Sequence, residues 1–194
     1  MLIKGNIFVV CGPSGSGKTT LAKSLLKSAI SKMRLMRSVS LTTRPKRSTE
    51  ADKKDYFFVS KKEFQRLKRA KKILEWTRYL GYDYGTPKDF IDQNLSKDKQ
   101  IIMCLDLKGA RRIKRSYPSC ATAIFIMPPS LSELEKRIRN RCGATSEKEI
   151  KRRIFLAKKE IKSAQGFDYC IVNDNLKTAQ QKLRGIIESK IKGR

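Results

Sequence analysis

Four short apolar runs, at about 6–11, 101–105, 121–127 and 169–172, are set apart by stretches whose apolar residues recur at helical spacing. Short, β-rich runs divided by helices predict a parallel sheet with helices on both faces, an α/β fold. The stretch at about 34–96 breaks this alternation. It is rich in Tyr, Thr and Arg, has no long apolar strand, and reads as an inserted lobe. A second insertion, about 129–165, is charged and holds two helices, each opened by an S-x-x-E capping box: Ser130 with Glu133, and Ser146 with Glu149. In the first helix Leu131, Leu134 and Ile138 form one stripe, with Arg137 and Arg141 on one flank of it; in the second the stripe is Ile150, Ile154, Ala157 and Ile161, with Arg153 on its flank and Arg152 pointing away. No internal repeat, low-complexity segment or Pro/Gly linker intervenes. The chain 1–194 therefore reads as a single domain with a core of about 1–33, 97–128 and 166–194.

Composition narrows the function classes. No apolar run approaches the roughly 20 residues that cross a bilayer, and the N-terminus lacks a signal-peptide layout, so a cytoplasmic, membrane-free protein is expected. The five cysteines (11, 104, 120, 142 and 170) are odd in number and scattered, mostly in apolar runs, and read as small buried residues. There is no histidine, which excludes a His-based triad and a His-ligated metal. Forty-five basic residues against 18 acidic ones leave +27, a field that steers polyanions inward. Because this charge is spread along the sequence, and no aromatic-plus-basic RNA module appears, it reads as a solvated basic surface with no specific nucleic acid partner.

The candidate chemistry centres on Gly12-Pro13-Ser14-Gly15-Ser16-Gly17-Lys18-Thr19-Thr20, which follows the first apolar run and opens a helix. The spacing G-x-x-x-x-G-K-T in that context is a P-loop. Its glycines let backbone N–H groups converge on phosphate oxygens, and the helix N-terminus faces the same anion. Lys18 is expected on the β/γ-phosphates and the Thr19 hydroxyl on Mg²⁺, so the chain is expected to bind a nucleoside triphosphate. The flanking arginines of the second insertion suit a phosphoryl group in transfer.

The first insertion carries an acceptor signature. Arg44 and Arg47 suit bidentate recognition of a phosphate monoester, and the hydroxyls of Tyr56 and Tyr84 can donate to one. A carboxylate such as Glu75 can accept from guanine's ring N–H and amine together, a pair that adenine lacks.

Together these stretches resemble the guanylate kinase family: the P-loop, Ser38 to Arg47, Asp55 to Phe58, Leu74-Glu75-Trp76, Tyr84-Gly85-Thr86, Asp106 to Gly109, the helices bearing Arg137, Arg141 and Arg153, and Val172-Asn173-Asp174. The resemblance runs over about 5–190. It implies a parallel-sheet P-loop nucleoside monophosphate kinase core, with 34–96 as the GMP-binding lobe and 129–165 as a helical lid. It further implies that Ser40, Glu75, Thr86 and Asp106 contact guanine, that Arg44, Arg47, Tyr56 and Tyr84 hold the GMP phosphate, and that Lys18, Arg137, Arg141 and Arg153 serve ATP and the moving phosphoryl. The implied reaction is Mg²⁺-assisted, in-line transfer from ATP to GMP, and also to dGMP, with no covalent intermediate. Whether the chain acts as a monomer or a homo-oligomer is left open. Three departures stand out: Cys104 where the family has an acid, Thr49-Glu50 for Gly-Glu, and Lys53-Lys54-Asp55 in place of a glycine-containing turn, which is expected to stiffen the lobe.

Overall fold

The computed structural model describes residues 4–141 and 146–193. All four apolar runs are strands: β1 (Ile7–Cys11), β7 (Gln100–Cys104), β8 (Ala121–Met127) and β9 (Tyr169–Val172). With β2 (Leu35–Arg37) they form a five-stranded sheet in the order β2-β7-β1-β8-β9, every pair parallel.

β1 lies at the centre, fully buried along its length. Its side chains alternate between the two faces. Phe8 and Val10 pack with Leu21 and Leu25 of α1 (Lys18–Met33) and with Ala179, Leu183 and Ile187 of α7 (Leu176–Lys192). Ile7, Val9 and Cys11 pack with Ile91 and Leu95 of α3 (Lys88–Ser96) and with Ala110 and Ile113 of α4 (Leu107–Ser116). Each large aliphatic side chain buried in this way contributes about 1.5–3 kcal/mol, which fixes the strand end where the P-loop begins.

A second sheet, in the order β4-β3-β6-β5, is built from β3 (Leu41–Thr42), β4 (Phe57–Phe58), β5 (Ile73–Tyr79) and β6 (Tyr82–Pro87), with α2 (Lys61–Arg69) packed on it through the buried Phe64. The inserted unit is narrower than 34–96, because β2 joins the large sheet and α3 buries Ile91 and Leu95 in the main core. The helical insertion forms as expected, as α5 (Leu131–Arg141) and α6 (Glu147–Lys162). The Ser130 and Ser146 hydroxyls accept from the Glu133 and Glu149 amides. Leu134, Ile138, Ile150 and Ala157 form a small core of their own. Leu131 departs from the expected stripe and is 42% exposed, because it opens the helix beyond the reach of α6.

Cys11 and Cys120 are buried, Cys104 is half-buried and Cys170 is exposed; Cys142 lies outside the described residues. The exposure of Cys170 follows from the position of β9 at the sheet edge, where Ile171 turns inward and its neighbours turn out.

Candidate functional site

The P-loop leaves β1 at Gly12 (φ 139°), and a Cβ there would sit 2.3 Å from the Ile126 carbonyl oxygen. Gly17 (φ 94°) is equally constrained, since a Cβ would lie 2.2 Å from Asn173 Nδ2. That amide donates to the Ser16 carbonyl at 2.8 Å and so ties the loop to the end of β9. Lys18 Nζ arches back over the loop, donating to the carbonyls of Gly12 (2.6 Å) and Pro13 (2.8 Å). No side chain caps α1 and no acid lies in its first turn, so its terminal N–H groups are directed to the cleft. Gly12, Ser14, Gly15, Gly17, Lys18, Thr19 and Thr20 line that cleft. Pro13 and Ser16 do not: both are buried and shape the loop from beneath, and the Ser16 hydroxyl has no hydrogen-bond partner.

Arginines of α5 and α6 border the cleft beside this loop. The Arg153 guanidinium, 8% exposed, donates to Ser14 Oγ at 3.4 Å and is braced by Glu149. Arg137 donates to Glu133 (2.9 Å) and to the Asn173 carbonyl (3.1 Å). The Arg141 side chain lies outside the described residues.

Of the residues expected to hold an acceptor, Ser40, Arg44, Arg47, Tyr56, Glu75, Tyr84 and Asp106 line the same cleft, whereas Thr86 lies buried behind Glu75. Glu75 is 3% exposed, accepts from the Thr86 hydroxyl at 2.6 Å, and lies so close to α4 that a Cβ on Gly109 would be 2.8 Å from its Oε2. Burial pushes its carboxyl up to about 7, with Asp106 adding to the rise and Thr86 and Arg112 opposing it. Asp106 is the N-cap of α4, accepting from the Gly109 amide at 2.8 Å. Arg44 is gripped by Glu50 at 2.7 and 2.8 Å, donates to Tyr84, and lies 5.5 Å over the Tyr56 ring. Its neighbour Arg47 lines the cleft, as do Ser40, Tyr56 and Tyr84. Just beyond, Asp55 accepts from Lys23 of α1 at 2.5 Å and from the Ala51 amide at 2.9 Å, pinning the 51–55 loop to the helix that follows the P-loop. At the missing turn glycine, Lys53 occupies φ 61°, a left-handed conformation that strains any residue with a side chain.

Some contributors were not singled out from the sequence. Glu160 lines the cleft from α6, two helical turns beyond Arg153 and hence on the same face, a spacing that could have flagged it. Burial raises its carboxyl to about 7, Lys18 opposes the rise and Asp106 adds to it. Tyr79 also faces this group, and burial holds its hydroxyl well above the usual range. Cys104 bonds to Thr19, and burial raises its thiol, so it stays neutral where a carboxylate would carry charge. Glu50, Gly109 and Asn173 owe their roles to contacts that only the fold creates.

The cleft encloses about 1270 Å³, more than the roughly 300–1,000 Å³ of single-ligand pockets, so it has room for a donor and an acceptor together. Comparison with known proteins gives the family. The guanylate kinase family model matches residues 4–190. A guanylate kinase of Synechococcus sp. (strain JA-3-3Ab) is 43% identical over 95% of this chain and 82% of its own length. One of Thermotoga maritima is 39% identical over 96% and 88%. The crystal structure of guanylate kinase from Anaplasma phagocytophilum superposes with a TM-score of 0.80 at 29% identity, covering 98% of this chain and 88% of that one. With a glycine loop on one wall, a buried carboxylate on the other, and this similarity running from end to end, the chain belongs to the guanylate kinase family.

Proposed function

We propose that the cleft transfers the γ-phosphoryl group of ATP to GMP, and to dGMP, giving ADP and the nucleoside diphosphate. The observation that carries this reading is the buried Glu75, which faces the same cleft as the P-loop and is held from behind by the Thr86 hydroxyl. An ionised Glu75 would accept from guanine's ring N–H and exocyclic amine together, and a base without that donor pair would leave the carboxylate buried and unmatched. Thr86, Ser40 and Asp106 complete the base site. Arg44, Arg47, Tyr56 and Tyr84 would hold the acceptor phosphate; Glu50 fixes one edge of the Arg44 guanidinium and thereby aims the rest of it.

On the donor side the loop amides, the α1 N-terminus and Lys18 would hold the triphosphate, and Arg137, Arg141 and Arg153 would meet charge on the equatorial oxygens of the moving group. No protein nucleophile is required. The cysteines nearest the loop favour neutral thiols, Cys11 being pushed up to about 12 by burial, so neither Cys11 nor Cys104 is a ready carrier of a covalent phosphoenzyme.

The donor atoms suit Mg²⁺: a hydroxyl at Thr19 with the Asp106 and Glu160 carboxylates in the same cleft, all hard oxygen ligands. No group of three His, Cys, Asp or Glu forms a metal cage among the described residues, consistent with an ion held largely by nucleotide phosphates and water. When bound, the ion would neutralise phosphate charge. The second sheet would act as the GMP-binding lobe and α5–α6 as a lid that excludes water from the reacting centre. The free Cys104 and Cys170 suit a reducing compartment, the cytoplasm.

A coupled assay of ADP formation with ATP and each monophosphate in turn tests the reading. GMP should be used best, dGMP next, and EDTA should abolish turnover. Equal use of AMP or UMP, or indifference to GMP, overturns it.

A further inference from the structure

The fold gathers charge that looked dispersed along the sequence. Residues 61–72 hold seven basic side chains and one acid, and Leu107–Ser116 hold five and none. Together they carry eleven of the 27 net positive charges on 22 of the 194 residues, about five times the density of the remainder. Some forty residues apart in the chain, the two segments meet around Trp76, the sole tryptophan. Lys68 of α2 lies 3.4 Å above its ring centroid, Arg112 of α4 lies 5.6 Å from it, and Arg112 also donates to the Trp76 carbonyl.

This face is not part of the cleft. Glu75, Thr77 and Tyr79 line the cleft, so the two-residue alternation of β5 turns Trp76 to the opposite side of the acceptor sheet. Nor is its charge neutralised locally. Arg66 pairs with Glu63, Lys72 with Asp89 and Lys114 with Asp168, whereas Lys61, Lys62, Arg69, Lys71, Lys108, Arg111 and Arg115 are exposed and make no ion pair among the described residues. So many unpaired cations on two adjacent helices repel one another, and a dense polyanion relieves that repulsion by releasing its counterions.

We propose that the α2–β5–α4 face is a binding surface for the phosphodiester backbone of nucleic acid, without base preference. A lipid surface fits less well, because among the described residues the exposed large apolar ones (Tyr82, Leu131, Phe155, Val172 and Leu176) all lie on other elements, leaving nothing here to insert among acyl chains. The proposal does not depend on the phosphotransfer reading.

The test measures binding of a fluorescently labelled 20-nucleotide RNA by anisotropy, with saturating ATP analogue and GMP present, as salt is raised. Three proteins are compared: wild type, a face variant (Lys62→Glu, Arg69→Glu, Arg111→Glu, Arg115→Glu), and a control that makes the same net charge change on α7, across the large sheet (Lys177→Glu, Lys182→Glu, Lys190→Glu, Lys192→Glu). Wild type and control should bind with micromolar affinity at low salt, and Trp76 emission should change on binding. The face variant should bind about 100-fold more weakly, with a salt slope shallower by about 0.7 for each phosphate that it no longer neutralises. Both variants should keep the wild-type ATP:GMP turnover and cooperative melting, which shows that they fold. Equal weakening in face variant and control means that only net charge matters, and overturns the proposal. So does absence of RNA binding, its abolition by the nucleotides, or binding to phosphatidylglycerol vesicles in place of RNA.

Discussion

Glu75→Gln should stabilise the protein and cripple it at once, and the two effects have one cause. In the folded chain the carboxyl titrates near 7 instead of 4.5, chiefly because burial penalises its charge. Moving a carboxyl that far corresponds to roughly 3 kcal/mol. The folded state binds this proton more tightly than the unfolded one, so stability falls as pH rises from about 4.5 through 7 and stays lower above that. Gln keeps the size of Glu and can still accept from the Thr86 hydroxyl, but carries no charge to desolvate. Below about pH 4.5 variant and wild type should melt together. At pH 8 the variant should melt higher by about 6–12 °C, taking about 2–4 °C per kcal/mol for a domain of this size. Activity should move the other way. The amide offers one acceptor where the carboxylate offers two, and its NH₂ opposes guanine's donors, so GMP KM should rise about 100-fold while ATP affinity is unchanged. In the wild type GMP KM should also fall between pH 6 and 8 as Glu75 ionises, and in the variant that dependence should vanish. Differential scanning calorimetry and a pH series of the coupled assay read both quantities. A variant that melts at or below the wild type at pH 8, or that keeps its GMP KM within threefold, would refute the assignment of Glu75 as a buried, charge-strained base reader.

Other perturbations bear on the remaining contacts. Gly17→Ala forces a Cβ against Asn173 Nδ2 at a positive φ; ATP affinity by calorimetry should drop at least tenfold and the melting point should fall, and an unchanged affinity would contradict the loop geometry. Arg153→Lys removes the planar fork that spans Ser14 and Glu149, so kcat should fall about 100-fold with little change in ATP KM; a purely structural arginine would instead show lowered stability with normal kcat. Asp55→Asn should raise GMP KM about tenfold and leave ATP KM alone, and adding Lys23→Met should cost little more; additive effects would separate the two residues. Lys53→Gly relieves left-handed strain and should stabilise by about 1 kcal/mol, read by urea denaturation.

What could be read from residues alone was what local physics controls. The P-loop is legible because positive φ at Gly12 and Gly17 and an uncapped helix start are properties of a few consecutive residues. The four apolar strands and the serine-capped helices α5 and α6 are legible for the same reason, and family resemblance added an expectation of which residues hold the acceptor. Strands of two or three residues, such as β2, β3 and β4, carry no readable period, so the sequence does not show that β2 leaves the inserted lobe for the large sheet. Tertiary structure alone decided the rest: that Asn173 braces the Ser16 carbonyl from 157 positions away, that Gly109 must be small because Glu75 presses on it, that Glu160 shares the cleft with Lys18, and that Cys170 is left at an open edge. It also decided that the charges of α2 and α4 add up on one face. Backbone conformation and periodicity are written in neighbouring residues, whereas burial and electrostatic potential depend on distances in space, and those exist only once the chain has closed on itself.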